Sequence, residues 1–316
     1  MLKYFCCYLA IFVVSKPCLV DGQGVEKKNS LVFVIDDTGS MADDIDEAKK
    51  QVDSIFDAAL KENDSTIKDF VIVTFNDPDV AHRTTTENRT VFKKALEDIT
   101  VNGGGDCEEM ALTGLKLALE NSRDGSIVYL FTDADAKDLD KAETVKKLAK
   151  EKQCRLFFMM TGNCNYGVNA PGHRVFFDLA EATQGQVFTL TKKEVGQALH
   201  HAVESVRPSD IIASSAFGAA GVVSDIVPAS NTINFNVAEN VKEVLISVSG
   251  VGISVDVTDS AGGKPKTEET AKTSGSTIVK VLDVKPGKYT ATVFSAGETS
   301  VVITGITKGG ESSKIV

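Results

Sequence analysis

The sequence has no long hydrophobic run in its body and no excess of positive charge. Lys and Arg total 34 against 44 Asp and Glu, which gives a formal net charge of -10, and no basic patch interrupts this balance. Nucleic acid and acidic membranes are therefore not expected partners, because their negative charge would repel the chain. Beyond residue 22 no apolar segment approaches the roughly 20 residues that a membrane-spanning helix needs. An acidic balance also suits a protein that collects divalent cations, although it is commonly kept for solubility alone.

The residues that most enzymes use are also missing in the required patterns. The segment Gly103-Gly104-Gly105 lacks the lysine and hydroxyl of a phosphate-binding loop, and no general base stands beside a nucleophile at a plausible spacing. The four histidines are too scattered for a zinc motif; they are His82, His173, His200 and His201. We therefore expect a binding protein and not an enzyme.

The N-terminus has the pattern of a secretory leader. Lys3 precedes an apolar run over residues 4–14, and small residues around Gly22 offer a cleavage point. This predicts a signal peptide over residues 1–22 and a secreted, extracellular protein.

Few cysteines remain once a leader is removed. Cleavage near residue 22 leaves Cys107, Cys154 and Cys164, and an odd count in an oxidising compartment indicates one disulfide and one leftover thiol. The same compartment permits glycosylation at Asn63 and Asn88, each of which begins an Asn-x-Ser/Thr sequon. Such tripeptides also occur by chance, and many stay unused.

Hydrophobic content of 42% and charged content of 25% are typical of globular protein, and the pattern divides the chain into two parts. Over residues 29–207, nearly continuous apolar runs alternate with amphipathic stretches, which predicts an α/β domain with a doubly wound, mostly parallel sheet and helices on both faces. Strands are predicted at 31–35, 70–75, 127–132, 156–160 and 187–190, with an edge strand near 80–84. Helices are predicted over about 43–59 and near 89–98, 109–120, 141–152, 175–183 and 193–206.

After Pro208 the period of the pattern changes to two. Apolar residues alternate with polar ones at Ile233, Phe235 and Val237 and again in four later segments, as in half-buried strands. We therefore expect a small antiparallel β-sandwich over residues 214–316. No catalytic cluster is present there.

Chemistry concentrates at the end of the first predicted strand. If the backbone stays extended, the period of two turns Asp36, Thr38 and Ser40 to one side. One carboxylate and two hydroxyls suit a hard cation such as Mg²⁺, Ca²⁺ or Mn²⁺. Because the hydroxyls are neutral, much of the ion's charge stays uncompensated, and a partner's carboxylate can complete the coordination shell. Ligands of open α/β sheets bind at this edge. The alternative is a strand-to-helix turn in which the hydroxyls only cap a helix.

Two further acidic loops are expected at the same edge. Residues 102–109 form a glycine-rich loop containing Asp106 and Glu109, and Asp133 follows the predicted strand over 127–132. Three strand-end loops with oxygen ligands support a cation site over a simple helix cap.

Together these segments resemble the metal-ion-dependent adhesion site of von Willebrand A and integrin I-type domains. The resemblance extends to the N-terminal region of the hemicentins and covers nearly the whole mature chain. It is carried by Asp36-x-Thr38-x-Ser40, Gly103-Gly104-Gly105-Asp106-Cys107, Phe131-Thr132-Asp133-Ala134, Thr161-Gly162-Asn163-Cys164 and Gly185-Gln186-Val187-Phe188.

The resemblance implies a Rossmann-like von Willebrand A fold and names the ligands. Asp36, Thr38, Ser40 and Asp133 are the implied ligands, directly or through water. The usual threonine of the loop is missing, and residues 106–109 are instead similar to an integrin β-subunit loop in which a glutamate enters the site. Glu109 is the first choice for that ligand and Asp106 the second.

Asp43 and Asp44 are placed as in the integrin β pattern that holds an adjacent second ion. The alternative is that two acidic residues in a first helical turn only favour the helix dipole.

The disulfide is expected between Cys107 and Cys164, which both lie on loops at the carboxyl edge of the sheet. Cys154 begins the strand that leads to Cys164, and such a strand spans roughly 20 Å, beyond the roughly 7 Å Cα separation that a disulfide permits. Cys154 is expected to be a small buried residue.

As a function, the resemblance implies a hemicentin-like adhesion protein of the extracellular matrix that binds a matrix or cell-surface protein, through an acidic side chain, at the cation site. A structural or lectin-like secreted module, recognising its ligand through the β-sandwich, is the alternative.

Overall fold

The computed structural model describes residues 29–61, 67–166, 169–197, 209–217, 229–296 and 299–307. The predicted leader, the sequon at Asn63, His200, His201 and residues 198–206 of the last predicted helix lie outside the described residues.

A six-stranded sheet forms the first part of the molecule, in the order β3-β2-β1-β4-β5-β6. Neighbouring strands run parallel except for β2 and β3, which are antiparallel at one edge. The strands are β1 (Asn29–Asp36), β2 (Ile67–Phe75), β3 (Val80–Thr86), β4 (Ile127–Thr132), β5 (Arg155–Met160) and β6 (Gln186–Thr189).

Helices cover both faces of this sheet, so successive strand residues are buried on opposite sides. On β1, Phe33 belongs to the core that also contains Phe92, whereas Val34 belongs to the core that contains Leu115 and Phe176. Burial on both faces explains the unbroken hydrophobic runs, and the predicted fold class is confirmed. The helices are α1 (Ala42–Lys61), α2 (Arg89–Glu97), α3 (Ala111–Asn121), α4 (Ala142–Glu151) and α5 (Pro171–Ala182). Among the described helices, none is long and apolar enough to cross a membrane.

One helix begins later than the sequence predicts. The pattern starts a helix at Glu109, but α3 begins at Ala111, because the Glu109 backbone bridges to Ala136 and its N–H donates to the Asp135 carbonyl at 3.0 Å. The first turn of α3 is capped from a distance by Asp138, whose carboxylate accepts the backbone N–H of Leu112. A tertiary contact therefore replaces the local helix start.

Two antiparallel sheets form the second part, as the period-two pattern predicts. Their orders are β10-β13-β8 and β11-β12-β9-β14-β7, and their facing sides bury one apolar core around Phe235, Ile246 and Val293. The strands are β7 (Ser209–Phe217), β8 (Ala229–Val237), β9 (Val241–Ser249), β10 (Ser254–Asp259), β11 (Thr267–Lys272), β12 (Ser276–Val281), β13 (Gly287–Ser295) and β14 (Thr299–Thr307).

The β-sandwich packs against the free edge of β6. Gln186, which is 0% exposed, donates through Nε2 to the Ser247 and Ser300 carbonyls, each at 3.2 Å. Thr189 forms an antiparallel bridge with Gly275. An edge strand presents unpaired backbone groups, and here the second unit covers them.

Candidate metal centre

The site is built at the carboxyl end of β1, which lies between β2 and β4 in the sheet. Asp36 ends this strand and is 0% exposed. Burial raises the pKa of Asp36 from 3.8 to about 6, although hydrogen bonds from Thr38 and Thr132 act in the opposite direction. The ionised carboxylate is therefore costly here unless a positive charge stands nearby.

A continuous chain of oxygen atoms runs from Asp36 to Asp133. Asp36 Oδ1 accepts the Thr38 hydroxyl at 2.7 Å, and Oδ2 accepts the Thr132 hydroxyl at 2.7 Å. Thr38 Oγ1 lies 3.3 Å from Ser40 Oγ, which donates to Asp133 Oδ1 at 2.9 Å. The backbone does not stay extended through Ser40 as predicted, because β1 ends at Asp36 and Ser40 lies on the 3₁₀ turn Gly39–Met41. The turn nevertheless brings the predicted side chains together.

Asp37 points the other way and anchors the neighbouring loops. Its carboxylate accepts Asn76 Nδ2 at 2.8 Å and Arg83 Nη2 at 3.1 Å, while its carbonyl accepts the Asn102 N–H at 2.9 Å. Asp37 is thus a structural acid whose oxygens are already satisfied.

The glycine-rich loop passes directly over the strand end. At Gly104 the backbone has φ +88°, and an added Cβ would lie 3.6 Å from Thr38 Cβ, so glycine suits this close passage. Three residues later, Cys107 forms a disulfide with Cys164, with the Cα atoms 5.6 Å apart. The loop is thereby tied to the segment that follows β5.

Glu109 lies at the base of this loop with its carboxylate buried. Glu109 is 2% exposed, and its Oε2 has no hydrogen-bond partner among the described residues. Burial, followed by the charges of Asp36, Asp77 and Asp106, raises the pKa of Glu109 to about 8. An unsatisfied buried carboxylate beside another acid calls for a cation.

Asp106 is exposed and already has a cationic partner. Lys137 Nζ lies 2.8 Å from Asp106 Oδ2 and also contacts Asp77, and the hydrogen bond from Lys137 lowers the pKa of Asp106. Of the two carboxylates considered for the loop ligand, Asp106 is therefore the one that is paired directly with Lys137.

These side chains surround one open cavity of about 600 Å³. Its lining includes Thr38, Ser40, Asp106, Glu109 and Asp133. Within the described residues, no group of three His, Cys, Asp or Glu side chains converges as a metal site. An all-oxygen set with one orphaned carboxylate oxygen fits a hard divalent cation.

The two acidic residues considered for a second ion differ in their surroundings. Asp43 is exposed on the first turn of α1, whereas Asp44 is 2% exposed. Lys192, on the short 3₁₀ turn Lys192–Glu194 after β6, lies 3.1 Å from Asp44 Oδ2.

Sequence reasoning missed Lys192, Lys137 and Thr132 as parts of the site. Thr132 directly precedes Asp133, and a hydroxyl beside a strand-end acid is a signal that could have singled it out. The lysines gave no local signal, because their partners lie far away in the sequence: Lys137 contacts Asp106, and Lys192 contacts Asp44. Cys154 is a buried free cysteine, and His173 is buried with Nδ1 3.0 Å from Asp135 Oδ1.

Comparison with known proteins gives matches over both parts of the chain. The von Willebrand factor A domain family matches residues 30–192, and the hemicentin galactose-binding domain-like family matches residues 222–308. Hemicentin-2 of Mus musculus is 32% identical over 282 residues, or 88% of this chain and 5% of that protein. Hemicentin-1 of Homo sapiens is 32% identical over 286 residues, or 89% of this chain and 5% of that protein. The chain thus spans a small part of these relatives' length.

Among solved structures, proximal thread matrix protein 1 from the mussel byssus is 17% identical with a TM-score of 0.43, covering 56% of this chain and 45% of that one. The first family match by itself spans more than half of the sequence. The chain therefore belongs to the von Willebrand factor A domain family and resembles the hemicentins along most of its length.

Proposed function

We propose that this chain is a secreted adhesion protein of the extracellular matrix that binds an acidic side chain of a protein partner through a divalent cation. The observation that carries the proposal is the oxygen chain from Asp36 to Asp133, together with Glu109 at the same open cavity. Glu109 Oε2 has no hydrogen-bond partner among the described residues.

Each residue has a distinct role in this proposal. Thr38, Ser40, Asp133 and Glu109 would hold Mg²⁺, Ca²⁺ or Mn²⁺, because all four residues line the same cavity. Asp36 lies behind Thr38 and orients its hydroxyl, while its negative charge supports the ion from the buried side. When bound, the cation supplies a positive charge to which a partner carboxylate can attach.

Calorimetry with Mg²⁺, Ca²⁺ and Mn²⁺ tests whether a cation binds. Asp133→Ala should weaken binding by at least about tenfold, equivalent to ~1.4 kcal/mol, because a charged ligand is lost. Asp256→Ala removes an exposed acid from the β-sandwich and is the matched control. Equal binding by wild type and Asp133→Ala contradicts the proposed ligand set.

Capture of partners from matrix extract tests the adhesion role itself. Chelator and Asp133→Ala should each abolish capture, while Asp256→Ala should leave it unchanged. Capture that survives both treatments argues for a different binding surface.

Glycosylation at Asn88 forms part of the same proposal. Asn88 is exposed at the start of α2, where its Oδ1 accepts the backbone N–H of Thr90 at 2.8 Å and of Val91 at 3.2 Å. These contacts use the oxygen, and a glycan attaches to the nitrogen. A mass decrease after peptide N-glycosidase treatment of secreted wild type, absent at this site in Asn88→Gln, would support it.

A second candidate function is recognition of a glycan in the cleft between α5 and the β-sandwich. This cleft encloses about 880 Å³ and is lined by Arg174, Phe177 and hydroxyls of Ser215 and Ser274. Val251, which is 63% exposed, also lines the cleft. Binding to a glycan array that persists in chelator and is lost in Val251→Asp would favour this function over the cation-dependent one.

A further inference from the structure

Lys192 lies on the short turn that follows β6, and its side chain reaches the proposed cation site. Its ammonium contacts the Ser40 carbonyl oxygen and lies 3.1 Å from Asp44 Oδ2 and 3.6 Å from Asp133 Oδ2. Ser40 and Asp133 also contribute oxygens to the cation cavity. A fixed positive charge therefore stands immediately beside the place proposed for the ion.

Asp44 gives this lysine a clear electrostatic role. The residue is 2% exposed, and among the described residues its Oδ1 is buried without a hydrogen-bond partner. An isolated ionised carboxylate in such surroundings costs several kcal/mol, so Asp44 requires a nearby cation. The cation that the structure places there is Lys192.

The segment that carries Lys192 is held in place on both sides. Thr191 and Glu194 form a capping box around the turn, with Thr191 N 2.6 Å and Thr191 Oγ1 2.8 Å from Glu194 Oε2. Glu194 also accepts the Ser274 N–H at 2.6 Å, which fixes the turn to the β-sandwich. The ammonium is thus positioned by two units of the molecule and does not depend on a free loop.

We propose that the Lys192 ammonium is a tethered cation that takes the place of a second metal ion beside the main site, between the Ser40 carbonyl, Asp44 and Asp133. The inference deepens the proposed function and uses it to locate the main ion. A carbonyl oxygen with carboxylates is a donor set that suits Ca²⁺, yet an ammonium can donate to the same acceptors with its three N–H groups.

The tethered charge has two consequences for the site. Its repulsion keeps a mobile second cation out, so one ion is held per chain. Its position 3.6 Å from Asp133 offsets part of the negative charge that Glu109 adds, which preserves the attraction of the main ion for a partner carboxylate. The predicted alternative, a mobile ion at Asp43 and Asp44, is the competing outcome.

Equilibrium dialysis against Ca²⁺ or Mn²⁺, with metal analysis of the full chain, counts the ions. Wild type should bind one ion, and Lys192→Met, which keeps the length of the side chain without its charge, should bind two. Adding Asp44→Asn to Lys192→Met should return the count to one. Two ions in wild type, or a folded Lys192→Met that binds no more ions than wild type, would overturn the proposal.

Lys192→Arg serves as the matched variant if Lys192→Met does not fold. A guanidinium keeps the charge, so the number of ions bound should stay at one, and a second ion bound to Lys192→Arg would contradict a tethered cation.

The ion counts also separate this inference from the proposed function. If wild type binds no ion while Lys192→Met binds one that Asp44→Asn removes, the main site fails and the role of Lys192 stands. Absence of any ion in all variants overturns both.

Discussion

At the residue scale, the acidic character of the site depends on Glu109. Its carboxylate is buried with one oxygen unpartnered, whereas Asp106 in the same loop is exposed and paired with Lys137. The burial of Glu109 follows from the backbone bridge to Ala136, which turns the chain inward before α3 begins. Under the proposed function, this one side chain decides how much of the ion's charge is compensated before a partner binds.

Glu109→Thr should strengthen capture of an acidic partner by about tenfold, equivalent to ~1.4 kcal/mol. Removing a negative ligand leaves the bound ion more positive toward the partner's carboxylate. Titration of a purified partner, or pull-down from matrix extract at graded Mg²⁺, measures the change. Glu108→Thr, in the neighbouring half-buried position, should have no effect. Loss of capture in Glu109→Thr would show that the glutamate is needed to hold the ion.

The pH dependence of metal-free stability follows from the same acids. Folding raises the pKa of Asp36 from 3.8 to about 6 and of Glu109 from 4.5 to about 8, mainly through burial. Each contributes stability that is fully present below about pH 4 and is lost as the pH rises through these folded values. A divalent cation stabilises the ionised forms, so it should offset this loss.

The increase in Tm caused by Mg²⁺ should therefore be larger at pH 8.5 than at pH 5. Thermal unfolding with and without Mg²⁺ across this range checks it, and Asp36→Asn combined with Glu109→Gln should flatten the dependence. An Mg²⁺ effect that is equal at both pH values would contradict the assignment of these acids to the cation site.

At the scale of elements, the site is assembled from separate loops at one edge of the sheet. The end of β1 supplies the hydroxyls, the end of β4 supplies Asp133, and the loop before α3 supplies Glu109. The disulfide between Cys107 and Cys164 joins that loop to the end of β5. The disulfide restricts the acidic loop, while the strand ends position the other proposed ligands.

Replacing Cys107 and Cys164 with serine should lower stability by roughly 2–4 kcal/mol, because the cross-link closes a long loop in the unfolded chain. Cation affinity should also fall, since the acidic loop gains freedom. Denaturant unfolding and calorimetry on the same samples measure both effects. Cys154→Ala removes the buried free cysteine and should leave cation affinity unchanged. Unchanged affinity in the double serine variant would show that the loop is ordered without the bond.

At the scale of the whole molecule, the β-sandwich covers the last edge of the parallel sheet. The two units meet at Gln186, at the bridge between Thr189 and Gly275, and at the contact of Glu194 with Ser274. The same turn carries Lys192, which lies 3.1 Å from Asp44 Oδ2 beside the proposed cation site. Packing of the sandwich and geometry of the site therefore share one short segment.

Gly275→Val should separate the two units locally, because an added Cβ would lie only 2.3 Å from the Thr189 carbonyl oxygen. The exposed edge should exchange its amide hydrogens faster over Gln186–Thr189, which hydrogen exchange with mass spectrometry detects. Ala261→Val, in an exposed turn of the β-sandwich, is the control. Unaltered protection of β6 in Gly275→Val would mean that the edge is stable without the sandwich.

Much of the fold was predictable because the dominant signals are local in sequence. Unbroken hydrophobic runs identify strands buried on both faces, and β1 shows this with Phe33 and Val34 in opposite cores. The period-two pattern likewise predicts the antiparallel strands. The predicted start of α3 was wrong, because a backbone bridge to Ala136 overrides the helical pattern at Glu109. Such pairing depends on residues far apart in the chain.

The sequence by itself determined which oxygen-bearing side chains stand at and after the end of β1, since Asp36, Thr38 and Ser40 occupy alternate positions in the chain. Only the tertiary structure decided what surrounds them. The compensation of Asp106 by Lys137, the isolation of the Glu109 carboxylate and the pairing of Asp44 with Lys192 all join segments that are distant in sequence. Local patterns choose the groups, and three-dimensional packing sets their charge balance, because electrostatic compensation depends on distances in space and on burial.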